Sequence, residues 1–540
     1  MADADTARTV ETERKYDVDP GFATPDLAGV ATVGEPRTFT LRAVYHDTHD
    51  LRLQAGGLTF RRREGGPDAG WHLKLPAAKD TRVELHAPLD SAATPPGELA
   101  GLLFAHTRGR PLEPVATLTT VRTVRPLLDG GGRVLAELAD DDVRAERADG
   151  QAAHWREVEV ELVHGPPEIL KTVGKRLRAA GAERASSASK LARALGDAVP
   201  APTRPGGHEG TAGAAVTAYL ARQLAAILTH DPLARRAEFD AVHRMRVAVR
   251  RIRSTLKSYR SVIDRERTTE LRAELRWLAG ELGTVRDLEV LRMRFTARLA
   301  TLDARLARPN AWLADIDRRE AEAYRALNTT LSGRRYLTIL NGLDAIVTVP
   351  PFTKRAGHDD ARELRRRTRR AWRKFAGAYE SASTDEARHD ARKLAKQARY
   401  AAEAARPVLG APATDMARDA EKMQEALGGF QDGQIAMADL REALTGVTDP
   451  SEAFTLGVLY GIERREAYAA LDGVAAVWAS ITPHAKTTKA RSRSGGSLPL
   501  GSLRAAASTS STAVSSTDSS PSRTVNVPSE PLTSTAGATS

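Results

Sequence analysis

The chain has 540 residues, with 80 Lys plus Arg against 69 Asp plus Glu, a net charge of +11 and 41% hydrophobic residues, enough for roughly two to four domains with cores of their own. It contains no cysteine, which excludes disulfides, iron-sulfur clusters, thiolate zinc sites and cysteine nucleophiles. No apolar run approaches the roughly 18 residues of a membrane span, so the expectation is a cytoplasmic protein with a polyanionic partner: nucleic acid, a membrane surface or a phosphate polymer.

Up to about residue 200 the chain reads as short alternating segments, Thr38 to Tyr45, Leu58 to Arg63, Trp71 to Leu75, Val134 to Leu138 and Trp155 to Val163, separated by Gly and Pro clusters. This is the period-two pattern of strands joined by turns. A helical piece, Ile169 to Ala180, and a Ser189-Lys190-Leu191 segment close the region, and residues 197–217, rich in Pro, Gly and Thr, read as a linker. From about Thr211 to Ala479 long Ala, Leu and Arg segments with apolar spacings of three and four predict a helical bundle. Breaks are expected at Val349 to Pro351 and at Pro407 to Pro412. Residues 481–540, dominated by Ser and Thr with a small basic patch at their start, are expected to be disordered.

The helical region repeats itself. The frame His, x2, Arg, x3, Arg or Lys, x2, Arg occurs at His243, Arg246, Arg250 and Arg253, and again at His389, Arg392, Lys396 and Arg399. Some 40 residues after each His comes a Leu-Gly-x2-x-Asp segment, ending at Asp287 and at Asp432.

Two constellations carry chemistry. In the strand-rich region Glu11, Glu13 and Lys15 alternate, as do Glu157, Glu159 and Glu161, so each set shares one face of a strand. Arg61 with Arg63, Lys74, Arg82 with Glu84, and Arg122 with Arg125 supply cations between them. A closed or nearly closed antiparallel sheet with these residues inward would make a cation-lined cavity with carboxylates at one side. Carboxylate oxygens suit Mg²⁺ or Mn²⁺ and the cations suit phosphoryl oxygens. Six motifs occur in order: Glu11-x-Glu13-x-Lys15, Asp47-Thr48, Leu58 to Arg63, Lys74 in HLKLP, the EVEVEL strand and Ser189-Lys190.

Together they resemble the CYTH domain of triphosphate tunnel metalloenzymes, over about residues 9–196. The resemblance implies an eight-stranded tunnel in which Glu11, Glu13, Glu159 and Glu161 hold divalent metal while Lys15, Arg61, Arg63, Lys74, Arg122 and Lys190 grip phosphates. Of Asp140, Asp141 and Asp142, Asp140 is the preferred match to the family's inward aspartate, and His46 stands where an aromatic residue often precedes the Asp-Thr pair. The chemistry implied is phosphoanhydride hydrolysis, with Glu13 or Glu159 positioning or deprotonating water beside Lys15.

In the helical region, steps of three and four place His243, Arg246, Arg250, Arg253 and Lys257 on one stripe and His389, Arg392, Lys396 and Arg399 on another, the second ending in Glu403 where the first has Lys257. Like charges at these spacings repel, and a polyanion relieves the repulsion. Arg365, Arg366, Arg367, Arg369, Arg370, Arg373 and Lys374 add a third basic patch. These segments resemble the CHAD domain, over about residues 218–480, which implies binding of inorganic polyphosphate. Asp287 and Asp432 could tether neighbouring cationic side chains or help with metal, and a structural role is the expectation.

The fold class expected is therefore multidomain: an antiparallel eight-stranded β tunnel (α+β), then an all-α bundle with an internal repeat, then a disordered tail. The function expected is metal-dependent hydrolysis of inorganic triphosphate or short polyphosphate, with polyphosphate or polyphosphate granules as the partner. The alternatives are a noncatalytic polyphosphate-binding protein and a tunnel enzyme acting on thiamine triphosphate or ATP. Nucleic acid fits poorly, because aromatic residues make up only 5% of the chain and do not interleave the basic stripes.

Overall fold

The computed structural model describes residues 7–78, 80–89, 94–201, 204–303 and 311–481; the Ser/Thr-rich tail, from residue 482 on, lies outside the described residues. Ten strands come first: β1 (Ala7–Val18), β2 (Thr32–Val33), β3 (Arg37–Asp47), β4 (Thr59–Glu64), β5 (Gly70–Ala78), β6 (Thr81–Pro88), β7 (Glu113–Leu128), β8 (Val134–Arg147), β9 (Ala152–Leu162) and β10 (Glu183–Arg184). Eight of them, in the order β1-β6-β5-β4-β3-β7-β8-β9, close into an antiparallel barrel when β9 pairs back onto β1. The long β1 makes closure possible by serving two neighbours. Its first half, Ala7 to Thr12, pairs with β6, and its second, Glu13 to Val18, with β9. The two-residue strands β2 and β10 extend β7 and β1.

The barrel is apolar outside and charged inside. In β9, Val158 and Val160 are fully buried under the helix α4 (Glu168–Ala179), against Ile169, Leu170 and Val173, so their neighbours Glu157, Glu159 and Glu161 face the lumen. Two more outer patches are covered in the same way. The helix α5 (Lys190–Leu195) packs Leu191 and Leu195 near Leu118, Val143 and Trp155. Short helices α1 (Arg52–Ala55), α2 (Gly97–Leu102) and α3 (Phe104–Thr107) accompany a patch holding Phe60, Trp71, Leu73 and Leu85. The Asp47-Thr48 pair explains itself at the start of α1: buried Asp47 accepts hydrogen bonds from the backbone N–H groups of Thr48, Leu53 and Gln54 at 2.7 to 2.9 Å. His46 takes an aromatic's place, its ring 5.1 Å from that of Trp71.

Among the described residues nine longer helices follow: α6 (Ala212–Arg235), α7 (Ala241–Ser258), α8 (Thr269–Leu299), α9 (Ala311–Leu331), α10 (Arg334–Thr348), α11 (Asp360–Glu380), α12 (Asp385–Leu409), α13 (Ala411–Leu444) and α14 (Pro450–Ser480). The repeated motifs fall on α7 with α8 and on α12 with α13, and one apolar core runs through α6 to α8 and α10 to α13. The break near Pro351 separates α10 from α11. The break expected at Pro407 to Pro412 separates α12 from α13: Pro407 lies inside the last turn of α12, and the helix ends at Gly410 with φ +60°, the conformation glycine adopts without penalty. Among the described residues α6 is the one helix long and apolar enough to cross a membrane, a match that the sequence reading did not anticipate, and half of its most apolar window is buried in the protein.

The candidate active site and a second cationic cavity

Inside the barrel is a charged cavity of about 290 Å³. Register places its groups. Glu13 lies opposite Glu161, Lys15 opposite Glu159, Lys74 opposite Glu84, and Asp141 between Arg122 and Glu157. Lys15 Nζ sits between Glu13, at 3.0 Å, and Glu159. Lys74 pairs with Glu11. Arg122 makes a two-pronged bond to Asp141, at 2.8 and 2.7 Å, and a third to Glu159 at 2.6 Å. Arg61 Nη1 donates to Tyr45 Oη at 3.1 Å, while His72 Nδ1 meets Glu84 at 2.8 Å. Arg63 reaches Asp68, and Arg82 also lines the lumen.

Asp141, Glu157 and Glu159 bring carboxylate oxygens within 4.8 Å of one another, a triad compact enough to coordinate a divalent cation. A side chain already occupies its centre. Lys190 Nζ, delivered by the first turn of α5, lies 2.9, 2.8 and 2.7 Å from Asp141, Glu157 and Glu159. Burial works against the charge of Glu159, but Lys15, Lys190 and Arg122 hold it well below the usual carboxylate range. Glu13, likewise opposed by burial, is held low by Lys15.

The opposite holds at the other end of the acidic set. Burial, a hydrogen bond to Glu84 and the charges of Glu84 and Glu161 push Glu11 up to about 8 despite Lys74. Burial, with Glu13 and Glu159, also raises Glu161.

Two predicted residues face away from the lumen. Asp140 is opposite Val158, on the outer surface, and binds Arg156 at 2.9 and 2.7 Å; its neighbour Asp141, fully buried, is the inward aspartate. The pairing of β8 with β9 runs without a bulge, so adjacent residues point to opposite faces. Arg125 stands opposite outward Leu138 and does not line the cavity, whereas Arg122 does; three positions along one strand reverse the face. Asp141, the neighbour of the preferred Asp140, and Glu157, which shares its strand face with Glu159 and Glu161, meet Lys190 inside the barrel; Tyr45 is a lumen residue that no sequence motif marks.

The helical segment has a cavity of its own, of about 780 Å³, where both predicted stripes meet. His243, Arg246 and Arg250 of α7 face His389, Arg392, Lys396 and Arg399 of α12, joined by Arg286 and Arg294 of α8. Arg253 and Lys257 lie one and two turns beyond it on α7 and are not in its lining. The Leu-Gly-x2-x-Asp segments act as arginine seats. Arg246 Nη1 binds Asp287 at 3.2 Å and Arg392 Nη1 binds Asp432 at 3.3 Å. A Cβ on Gly283 or Gly428 would stand 3.3 or 2.8 Å from the same guanidinium. Among the described residues Lys396 makes no ion pair, and burial together with Arg250 and Arg392 pushes its amine down to about 7.

The CYTH domain family matches residues 9–195, and the CHAD domain family matches residues 218–441. The chain belongs to the CYTH-CHAD fusion proteins. This CYTH-CHAD protein is 36% identical over 484 residues to the uncharacterized protein Rv2226 of Mycobacterium tuberculosis, a match covering 84% of the chain and 93% of that relative. Among solved structures, the CYTH-CHAD chain is similar to PptA from Streptomyces chartreusis, with 23% identity and a TM-score of 0.43 over 50% of this chain and 100% of that one. It is also similar to the CHAD domain from the plant Ricinus communis, with 23% identity and a TM-score of 0.42 over 52% of this chain and 97% of that one. A CYTH tunnel with a tight acidic cluster is consistent with metal-dependent phosphoanhydride hydrolysis.

Proposed function

We propose that residues 9–196 form a domain that hydrolyses inorganic triphosphate or short polyphosphate with Mg²⁺ or Mn²⁺, and that residues 218–480 form one that binds inorganic polyphosphate. The observation that carries this reading is the charge sorting inside the closed barrel, where Lys15, Arg61, Arg63, Lys74, Arg122 and Lys190 share one lumen with Glu11, Glu13, Glu159 and Glu161. A linear phosphate chain suits both cavities, because each offers repeated charge-assisted contacts.

The residues for metal are Glu11, Glu13 and Glu161, an all-oxygen set of the kind these hard cations prefer. Burial and the neighbouring carboxylates raise Glu11 and Glu161 despite Lys74, and a bound cation would offset that mutual repulsion, whereas the triad at Asp141 already holds Lys190. A bound metal stabilises charge on the transferring phosphoryl group. Lys15, Lys74, Arg61, Arg63, Arg122 and Lys190 hold the phosphate oxygens. Glu159, ionised by three cations, orients them and is a poor proton acceptor. Glu13, ionised beside Lys15, is the carboxylate that orients the attacking water.

Phosphate release from triphosphate, long-chain polyphosphate, thiamine triphosphate and ATP, each with Mg²⁺ or Mn²⁺, tests the assignment. Turnover of triphosphate is expected. Hydrolysis of thiamine triphosphate or formation of a cyclic nucleotide, with none on triphosphate, overturns it. A Glu11→Gln/Glu13→Gln double variant is expected to lose metal-dependent turnover with its circular dichroism unchanged. Polyphosphate binding without any phosphate release points to the noncatalytic, granule-associated alternative.

A further inference from the structure

We propose that a long polyphosphate chain leaves the helical cavity in one direction only, over a track formed by Arg253 and Lys257 of α7, Arg272 and Arg276 of α8, and Lys374 of α11. This deepens the reading of that cavity as a polyphosphate site and rests on it. The argument comes from how the two copies of the repeat diverge. His243, Arg246 and Arg250 correspond to His389, Arg392 and Lys396, and all six line the cavity.

Beyond them the copies part. In the second, Glu403 accepts from Arg399 and from Arg251, both at 2.8 Å, and from Tyr219 at 3.1 Å, while Arg399 also reaches Glu421 at 2.8 Å. That end of the stripe is neutralised. In the first copy the position of Glu403 is held by Lys257, and the charges that bear on it come from Lys374, Arg272, Arg253 and Arg260. Those bearing on Arg253 come from Arg276, Arg250 and Arg272. Among the described residues, none of the five track cations is in an ion pair. The nearby acids are committed elsewhere, Glu274 to Arg335 at 2.6 Å and Glu363 to Arg367 at 2.8 Å.

The track is continuous with the cavity. Arg250 lines it, and Lys257 lies about 10 Å further along the helix at 1.5 Å per residue. Three helices thus present like charge that is in no ion pair among the described residues, an arrangement that an external polyanion stabilises. Polyphosphate fits better than a nucleic acid, which would need stacking platforms. Of the aromatic residues beside the track, Tyr259, Trp372 and Phe375 are buried in the core, and Trp277 has Arg335 over its ring at 3.8 Å.

Binding of oligophosphate and of long-chain polyphosphate by the full chain, without divalent metal so that nothing is turned over, tests the proposal. The tunnel contributes equally to wild type and variant, so differences report the bundle. In an Arg272→Ala/Arg276→Ala/Lys374→Ala variant, long-chain affinity is expected to fall about tenfold and its log-log salt slope by about 2, with oligophosphate affinity within about twofold of wild type. The Arg272→Lys/Arg276→Lys variant is expected to keep long-chain affinity. Equal losses at both lengths, or none at either, overturn the track. An Arg246→Ala/Arg392→Ala variant separates the two readings. If it weakens neither length, the cavity itself is not the polyphosphate site; if it weakens both while the triple variant changes nothing, only the track falls. Single-stranded RNA that displaces long-chain polyphosphate at equal phosphate concentration overturns polyphosphate as the occupant.

Discussion

Two lysines show how far position decides a side chain's chemistry. Lys190, nearly buried, is surrounded by Asp141, Glu157 and Glu159. Removing it leaves three buried carboxylates sharing only Arg122 and Lys15. Replacement by Met is expected to destabilise the barrel by about 3–5 kcal/mol, the usual result of stranding a buried charge, which thermal unfolding will read. Lys396 has the opposite surroundings. Buried among Arg250, Arg392 and Arg246, with Asp432 as the facing carboxylate, it holds its proton only up to about pH 7. A bound polyanion favours the charged amine, so binding above that pH takes up a proton, and affinity falls as pH rises through 7, by at most about tenfold per pH unit. Calorimetry in buffers of different ionisation enthalpy will detect the proton. Lys396→Met is expected to abolish its uptake at pH 8.

At the level of the element, parity and small residues do most of the positioning. The EVEVEL strand sends valines to α4 and glutamates to the lumen because successive residues alternate. On α12 the buried residues Ala391, Ala395, Ala398, Ala402 and Ala405 make a narrow face toward the core and leave His389, Arg392, Lys396 and Arg399 to the cavity. Each arginine seat then needs its glycine. Gly428→Ala should gain roughly 1 kcal/mol of helix propensity, yet its Cβ, 2.8 Å from the Arg392 guanidinium, drives that group off Asp432. Oligophosphate binding is expected to weaken by about 1.5 kcal/mol, roughly tenfold, with no loss of thermal stability. Gly283→Ala, where the clearance from Arg246 is 3.3 Å, should show a smaller effect in the same titration.

Across the whole molecule, barrel and bundle are joined through the α2–α3 segment. Ala105 belongs to the apolar core of the bundle, His106 Nε2 donates to the Leu228 carbonyl at 3.1 Å, and Arg108 binds Asp344 at 3.2 and 2.9 Å. Leu233 of α6 packs in turn against the outer apolar patch of the barrel. Asp344→Ala strands Arg108, whose side chain is only 5% exposed. It is expected to weaken the junction by about 1.5–3 kcal/mol and to separate the unfolding of the two halves in a calorimetric scan.

Which side chains share a face is legible in the chain alone: the alternation at Glu11, Glu13 and Lys15, the helical stripes from His243 and His389, and the duplication that relates them. These follow from periods of 2.0 and 3.6 residues, which are properties of the local backbone. The chain also marks the family, through motifs that keep their order along it. What those faces meet depends on how the strands and helices pack. The unbulged pairing of β8 with β9 selected Asp141 over Asp140, and with Arg122 facing inward the odd spacing along β7 turned Arg125 outward. The fold brought Lys190 into an acidic triad contributed by two strands, joined two distant stripes in one cavity, and set Glu403 against Arg251 and Arg399 so that the far end of the second stripe is neutralised. Such contacts join residues far apart in the chain, and register and packing, which no local period encodes, determine them.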